Sequence, residues 1–291
     1  MKTGFIGIGN MGGAIFDSYA SCNRDGADSK RTGEAADHIM ICDLDRRACE
    51  KKEVEFPQVS MTDSICDLVA ASEVVVVGVK PQGMATVMEE VATKYRNDKI
   101  LISMAAGISI DWIEGFLGED AKIIRIMPNT PAKVGEAMIA LCRGRNISDE
   151  DMKKAERVLS PAGVIQQVEE DQIDCVIGVS GSSPAYTYMY IEGLVKAAVA
   201  NGMDEEQARV FAAQSVLGAA RMVLESEESL EQLRINVCSP GGTTIEAVNR
   251  LFENGFMDKV VEGFQAAVDR SIEMTREKNE AANEQNEGAG K

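Results

Sequence analysis

Two segments rich in serine, threonine and glycine stand directly before predicted helices in the second half of the chain. They read Ser180-Gly181-Ser182-Ser183-Pro184 and Ser239-Pro240-Gly241-Gly242-Thr243-Thr244. Free backbone N–H groups and hydroxyls at the positive end of a helix suit a carboxylate or a phosphate. In the first segment, capping by Ser183 with Pro184 at the first helical position is the simpler interpretation. The second segment, with its glycine pair between hydroxyl-bearing residues, predicts a small-anion site.

A third glycine-rich segment, Gly7-Ile8-Gly9-Asn10-Met11-Gly12, lies between a strand predicted over 2–8 and a helix predicted over 13–20. In such a turn the first glycine permits the tight bend, the second lets the backbone approach a pyrophosphate, and the third lets helix and strand pack closely. The helix N-terminus then presents free N–H groups to the phosphates. We therefore expect this turn to bind a dinucleotide through Gly7, Gly9, Asn10, Met11 and Gly12.

Asp43 follows the second predicted strand, where a dinucleotide-binding fold places an acidic residue on the adenosine ribose hydroxyls. A polar insert over 23–37, which we expect to form an exposed loop, accounts for its late position in the chain. Arg46 and Arg47 could instead favour a 2′-phosphate, or could simply begin a solvated helix with Asp45. Because Asp43 is closer to the expected position, the sequence favours NADH over NADPH.

Strand and helix patterns alternate up to residue 168, which predicts an α/β fold with a doubly wound sheet of about eight strands. Ligands of such sheets bind at the carboxyl ends of the strands. Three loops after strands are therefore candidate cofactor contacts: Val79-Lys80-Pro81, Ala105-Ala106-Gly107 and Pro128-Asn129. The predicted strands are 2–8, 38–42, 74–79, 100–103, 122–127, 137–142 and 163–168, and the helices among them are 13–20, 62–71, 84–95, 110–116 and 148–159.

Helical periodicity replaces this alternation from residue 171 onwards. The pattern predicts a dinucleotide-binding domain over 1–169, an all-α domain over 170–276 and a disordered polar tail over 277–291. The helices predicted in the second domain are 185–200, 204–225, 229–237, 245–252 and 258–276. The first of them is apolar on nearly every side, with Glu192 and Lys196 as its only charged residues, which predicts that it is buried all round.

Composition excludes several classes of function. A net charge of −17 over 291 residues argues against nucleic-acid and anionic-membrane partners. No apolar run reaches about 18 residues and the N-terminus enters a strand pattern at once, so we expect neither a membrane span nor a signal peptide. The seven cysteines are scattered without a C-x-x-C pair, which favours reduced thiols in a cytoplasmic protein and no metal site. His38 is the only histidine, which argues against serine-hydrolase triads, histidine metal clusters and most histidine acid–base schemes.

A nucleotide fold combined with a small-anion site suggests hydride transfer to a compact carboxylic acid. No histidine or buried lysine stands out as the acid that reduction of a carbonyl requires. Reduction of a C=N bond does not require such an acid, because the nitrogen can already be protonated, as an iminium, when the substrate binds. The protein then needs mainly to orient cofactor and substrate and to hold the carboxylate.

The sequence resembles the Δ1-pyrroline-5-carboxylate reductase family, which catalyses the last step of proline synthesis. The resemblance implies reduction of the cyclic imine 1-pyrroline-5-carboxylate to L-proline with NAD(P)H. The motifs that carry it run in family order from residue 2 to about residue 276, and the last two are highly specific together. They are G-F-I-G-I-G-N-M-G (4–12), V-K-P-Q (79–82), S-M-A-A-G-I (103–108), R-I-M-P-N-T-P (125–131), S-G-S-S-P-A-Y (180–186) and S-P-G-G-T-T-I (239–245).

The resemblance also implies how two domains share the work. An N-terminal Rossmann-like domain binds the cofactor, and an all-α dimerisation domain interleaves with that of a partner, which then covers the helix over 185–200. The substrate lies between the cofactor of one subunit and the helical domain of its mate, and dimers assemble further, including to decamers. Ser182 and Ser183 rim the substrate pocket, and Thr244 matches the hydroxyl nearest the ring nitrogen. The remaining substrate contacts implied are Ser239, Gly241, Gly242 and Thr243.

Three residues depart from the family pattern. Ser183 stands where the family usually has glycine, and it either narrows the pocket mouth or caps the helix. Leu44 stands where arginine is frequent, which weakens a 2′-phosphate site and supports NADH. Ala247 replaces a frequent glycine, and there we expect a change of packing alone.

Other functions fit parts of the sequence. A β-hydroxyacid dehydrogenase has the same layout but requires a lysine within G-x-x-x-N-x-x-K, whereas Gly193 is followed by L-V-K-A-A-V. A non-catalytic, nucleotide-sensing scaffold would have no evident need for the S-P-G-G-T-T loop. A related imine reductase with a different cyclic substrate stays open.

Overall fold

The computed structural model describes residues 1–24 and 37–289. The loop predicted over 23–37 lies outside the described residues for 25–36, while Asn23 belongs to the first helix and Asp37 is buried. Residues 290 and 291 of the predicted tail also lie outside them.

Eight strands in the described part of the chain form one sheet, in the order β3-β2-β1-β4-β5-β6-β7-β8. Strands β1 to β6 are parallel, whereas β7 pairs antiparallel to β6 and β8 parallel to β7. The strand order reverses between β1 and β4, and open α/β sheets bind ligands at such a switch point. The strands are β1 Lys2–Ile6, β2 His38–Cys42, β3 Val59–Met61, β4 Val74–Val77, β5 Ile100–Ser103, β6 Lys122–Met127, β7 Ala137–Arg143 and β8 Gly163–Gln167.

The strand Val59–Met61 was absent from the sequence prediction, since three residues carry too little periodicity to be recognised. The helix predicted from residue 62 begins instead at Ile65, where the Ser64 side chain accepts the N–H of Asp67 as an N-cap. The other strands confirm the prediction to within two residues at each end.

Helices cover both faces of the sheet, so its central strands are buried on both sides and read as continuous apolar runs. All four valines of β4, for example, are buried. Phe5 packs in one layer with Phe16 and Tyr19, and the adjacent Ile6 points into the other layer. The helices of this part are α1 Asn10–Arg24, α2 Arg46–Glu55, α3 Ile65–Ala71, α4 Met84–Lys94, α5 Ile110–Leu117 and α6 Asp149–Leu159.

The rest of the chain is helical, as predicted. Asp204 caps its helix by accepting the N–H of Gln207, but the predicted cap at Ser183 is wrong. Ser183 is the first residue of α8, because the chain is already helical from Ile173 through a π-helical turn at Ile177–Gly181. The helices are α7 Ile173–Val176, α8 Ser183–Ala200, α9 Glu205–Glu225, α10 Leu230–Val237, α11 Thr243–Glu253 and α12 Phe256–Ala289.

The chain divides into two compact units, one of residues 1–181 with 267–291 and one of residues 182–266. The segment over 170–181 and the second part of α12 pack with the sheet in the first of these units. The predicted boundary after residue 169, which divides cofactor binding from dimerisation, stays a prediction. The last helix differs from the prediction. It continues to Ala289, whereas the sequence predicted its end near residue 276 and a disordered tail beyond.

Candidate functional site

The glycine-rich turn joins β1 to α1 beside the switch point of the sheet. Gly7 has a left-handed backbone (φ +84°), and a Cβ at Gly12 would lie 2.1 Å from the carbonyl oxygen of Gly7. A Cβ at Gly78, after β4, would lie 2.6 Å from the same oxygen. Gly9 is exposed, and a Cβ there would meet nothing within 4 Å. Thus three glycines close the turn, and Gly9 leaves its backbone open to a ligand.

The N-terminus of α1 follows directly from this turn. The helix begins at Asn10 and has no acidic residue in its first turn. Asn10 is exposed and Met11 half-buried. The first N–H groups of a helix have no intrahelical partners, so this end is suited to a phosphate.

Asp43, at the carboxyl end of β2, links that strand to the glycine-rich turn. Its Oδ2 accepts the backbone N–H of Ile8 at 2.7 Å, and its Oδ1 accepts the N–H of Asp45 at 2.8 Å. Each carboxylate oxygen keeps a further lone pair. The half-buried carboxylate is therefore held in place with acceptor capacity left for hydroxyl donors.

Arg46 begins α2, for which Asp45 is the N-cap through a bond from the N–H of Ala48. The Arg46 guanidinium pairs with two carboxylates: its Nε lies 3.2 Å from Glu50, and its Nη1 contacts Asp63. Asp63 follows the carboxyl end of β3, which lies beside that of β2. Both carboxylates raise the pKa of Arg46 further, so this cation already has two anionic partners at the edge of the sheet.

The other predicted cofactor residues lie at the same edge, since they follow the parallel strands β4, β5 and β6: Val79, Lys80, Pro81, Ala105, Ala106, Gly107, Pro128 and Asn129. Lys80 is exposed, whereas Asn129 is 8% exposed. Gly107 has φ +72°, and a Cβ there would lie 3.4 Å from the carbonyl oxygen of Met274 in α12. The last helix thus passes directly over one of these loops.

The Asn129 side chain contacts two elements of the first unit. Its Nδ2 donates to the Ser180 carbonyl at 3.2 Å and to the Ser180 hydroxyl at 3.3 Å. Its Oδ1 accepts the N–H of Met138, in β7, at 2.9 Å. The amide therefore ties the π-helical turn at Ile177–Gly181 to the sheet.

Three further polar contacts hold the segment over 170–181. Glu170 Oε1 lies 2.8 Å from Arg125 Nη1 and accepts the N–H of Ile110 at 2.9 Å. Farther along, Ser271 of α12 donates to Asp174 at 2.5 Å. None of these residues was predicted as a site residue. A signal was present nonetheless, because an arginine within the apolar strand K-I-I-R-I-M needs a partner once it is buried.

The second unit carries the loop predicted to bind an anion. Gly241 adopts a left-handed backbone (φ +68°), and the N–H of Gly242 donates to the Ser239 carbonyl at 3.0 Å. Gly242 is the N-cap of α11 and offers no side chain to its first N–H groups. Thr244 is half-buried, while Ser239, Gly241 and Thr243 are exposed. The helix end is thus open to a carboxylate.

Helix α8 is not buried within this chain. None of its residues is buried, and the exposed fractions reach 55% at Tyr188 and 70% at Met189. The prediction of burial on all sides is therefore wrong for the single chain. Other apolar side chains of the same unit are equally open, with Phe211 63% and Leu217 60% exposed.

Two buried thiols of the sheet, Cys42 in β2 and Cys142 in β7, favour the protonated state. Burial raises the pKa of Cys42 to about 11 and that of Cys142 to about 12. A protonated thiol is a poor nucleophile. Neither cysteine is therefore suited to covalent catalysis near neutral pH.

Comparisons with known proteins give one consistent family. A family model described as pyrroline-5-carboxylate reductase dimerisation matches residues 170–274, and one described as coenzyme F420-dependent NADP oxidoreductase matches residues 2–107. The pyrroline-5-carboxylate reductase of Escherichia coli is 36% identical over 94% of this chain and 98% of its own length. That of Methanosarcina acetivorans is 34% identical over 95% of this chain and 97% of its own length.

Solved structures agree. A pyrroline-5-carboxylate reductase from Coxiella burnetii is 32% identical, with a TM-score of 0.83 over 94% of this chain and 98% of its own. The Plasmodium falciparum pyrroline carboxylate reductase, solved with NADP bound, is 28% identical, with a TM-score of 0.81 over the same shares of the two chains. These similarities extend over nearly the whole of each protein.

Proposed function

The chain belongs to the pyrroline-5-carboxylate reductase family, and on that premise we propose how its residues divide the work. The protein is an NAD(P)-dependent oxidoreductase that reduces the C=N bond of 1-pyrroline-5-carboxylate to give L-proline. The observation that carries this function is similarity to such reductases over nearly the full chain. The experiment is steady-state kinetics with the imine and each of NADH and NADPH. No turnover by a pure sample that still binds cofactor would contradict it.

The edge of the sheet holds the dinucleotide. The open backbone at Gly9 and the N-terminus of α1, with Asn10 and Met11, receive the pyrophosphate. Gly7 and Gly12 shape the turn that permits this approach. The loops after β4, β5 and β6 line the rest of the cofactor.

The loop before α11 holds the substrate carboxylate. The uncapped N–H groups of its first turn, together with Ser239, Gly241 and Thr243, provide donors without any charged side chain. Gly242 shapes the loop instead, because its own N–H donates to the Ser239 carbonyl. Ser182 and Ser183 rim the same substrate. Because the imine nitrogen arrives protonated, hydride transfer then depends mainly on orientation.

Thr244 is the residue we place beside the imine nitrogen. Thr244→Ala should lower kcat by roughly tenfold to a hundredfold, because the protonated imine nitrogen loses the hydroxyl that accepts its N–H, and a hydrogen bond to a charged group contributes about 1.5–3 kcal/mol. The dissociation constant of NADH, measured by fluorescence, should change far less. Thr243→Ala removes the exposed neighbouring hydroxyl and should cost less activity. Equal losses of turnover and cofactor affinity in Thr244→Ala would count against this placement.

NADH is the proposed preferred cofactor. Asp43 is held with acceptor capacity left for ribose hydroxyls, and a 2′-phosphate at the same place would meet its negative charge. Arg46 is the nearest cation after β2, yet Glu50 and Asp63 already pair with it. The Plasmodium falciparum relative, by contrast, was solved with NADP bound.

The cofactor preference is tested by the double variant Asp43→Ser/Leu44→Arg. It removes the ribose acceptor and adds a cation where Leu44 is fully exposed. The ratio of kcat/KM for NADPH to that for NADH should rise at least about tenfold, equivalent to 1.4 kcal/mol. Leu44→Gln, a neutral change at the same position, should leave the ratio unaltered. Unchanged ratios in the double variant would show that Asp43 does not touch the ribose.

The working form is a homodimer that assembles further to a decamer in the cytoplasm. The exposed apolar side chains of α8 and α9 support this proposal, because a dimer mate would bury them. Functionally, residues 1–169 bind the cofactor, while residues 170–276 supply the dimer and substrate contacts. Within the described residues, no helix has the length and apolar character needed to cross a bilayer.

A further inference from the structure

The side chain of Asn129 has its hydrogen-bonding groups engaged inside the protein. It is 8% exposed, its Nδ2 donates twice to Ser180, and its Oδ1 accepts from Met138. The network also fixes which amide atom is which, since the Met138 N–H requires an acceptor and the Ser180 carbonyl requires a donor. The sequence predicts Asn129 as a cofactor contact, whereas its side chain serves another part of the chain.

The partner of this amide lies in an unusual element. Ser180 is 8% exposed and belongs to the π-helical turn at Ile177–Gly181, which interrupts the path from α7 to α8. Such turns are rare and frequently occur at functional sites. The same segment is anchored upstream by Glu170 on Arg125 and by Asp174 on Ser271. Asn129 supplies the last of these anchors before the chain reaches Ser182.

Ser182 and Ser183 follow within three residues and have no comparable restraint of their own. Ser182 makes no side-chain capping bond, although it is the N-cap of α8. Ser183 accepts a bond from Thr187 only through its backbone carbonyl. Their hydroxyls are thus free for a ligand, and the path of the backbone that delivers them is fixed at Ser180.

We propose that Asn129 is a positioning residue that acts through Ser180 on Ser182 and Ser183, and so sets the affinity for the imine substrate. The proposal rests on the substrate role given above to those two serines. It separates the side chain of Asn129 from the cofactor, to which the rest of its loop is assigned. It therefore predicts a loss of substrate affinity without a matching loss of cofactor affinity.

Asn129→Asp is the test, because it keeps the acceptor for Met138 and replaces the two donors to Ser180 by an oxygen. KM for the imine should rise about tenfold, the order expected when a buried carbonyl loses its donor. The dissociation constant of NADH should stay within about twofold of wild type, a split that general destabilisation would not produce. Asn129→Ser, which is neutral and smaller, should show the same split and decides the matter if the aspartate variant does not fold.

Asn146→Asp is the matched control, because Asn146 also donates through Nδ2 to two backbone carbonyls, those of Glu119 and Ala121. It should leave KM for the imine unchanged. The proposal is overturned if the Asn129 variants weaken NADH binding as much as imine binding, or if they leave both unchanged. Absence of turnover in the wild-type enzyme would instead contradict the proposed function, so the two failures are distinguishable.

Discussion

Gly12→Ala should weaken NADH binding by about tenfold or more and lower the melting temperature. The added Cβ would lie 2.1 Å from the carbonyl oxygen of Gly7, and this neighbour is backbone that no rotamer change can move. Overpacking at a rigid contact costs about 1–3 kcal/mol, and relief of the clash would open the turn that receives the pyrophosphate. Fluorescence titration with NADH and thermal unfolding measure the two effects.

Gly9→Ala is the comparison that separates packing from ligand contact. A Cβ at Gly9 meets nothing within 4 Å, and its backbone lacks a positive φ. The melting temperature should therefore stay unchanged while NADH affinity falls, because the methyl group would occupy the approach of the pyrophosphate. If Gly9→Ala binds NADH normally, the dinucleotide does not pass over this turn.

Arg125→Met should lower the free energy of unfolding by about 3 kcal/mol, which is at the lower end of the range for breaking a buried ion pair. The lower end applies because Arg125 is 5% exposed in its side chain but Glu170 is 31% exposed. The variant leaves the Glu170 carboxylate without its cation beside the N–H of Ile110. Urea denaturation of wild type and variant, followed by far-UV circular dichroism, measures the difference.

A second substitution tests whether the unpaired charge is the cause. In Arg125→Met/Glu170→Gln the charge is gone, while the amide oxygen still accepts the N–H of Ile110. Removal of both partners of a buried pair is often nearly neutral, so the double variant should recover most of the lost stability. A double variant no more stable than Arg125→Met would show that packing around Arg125, rather than charge, accounts for the loss.

The sequence predicted the sheet well, because its central strands are continuous apolar runs bounded by turns. The four valines from Val74 to Val77 are readily recognised as a buried strand. The strand Val59–Met61 was missed because three residues are too few to show an alternating pattern. The cap of α9 is local, since Asp204 accepts the N–H of Gln207 three residues on. Ser183 misled for the opposite reason. Its sequence context resembles a cap, but a π-helical turn precedes the helix, and Ser180 within that turn bonds to the distant Asn129.

Site residues could be predicted where both the residue type and its position after a strand indicated contact with a ligand. The glycine-rich turn and the loops after β4, β5 and β6 could be placed at one edge from strand order alone. The engagement of Asn129 with Ser180 could not, since 51 residues separate the two and no local pattern links an amide to a distant carbonyl. Burial of α8 could not be judged from the sequence of one chain either. An apolar helix has the same pattern whether its cover comes from its own chain or from another.

The division at residues 181 and 266 makes the helical unit an insertion in the middle of the sheet unit. Ser271, which bonds Asp174, lies in sequence beyond the inserted unit although it belongs with the sheet. A fragment that stops at residue 181 would therefore lack residues 267–291, which belong to the same compact unit as the sheet. An exchange of the helical unit between homologues accordingly requires two crossover points, at 181/182 and at 266/267. A single crossover at the first point would combine Asp174 from one homologue with residue 271 from the other.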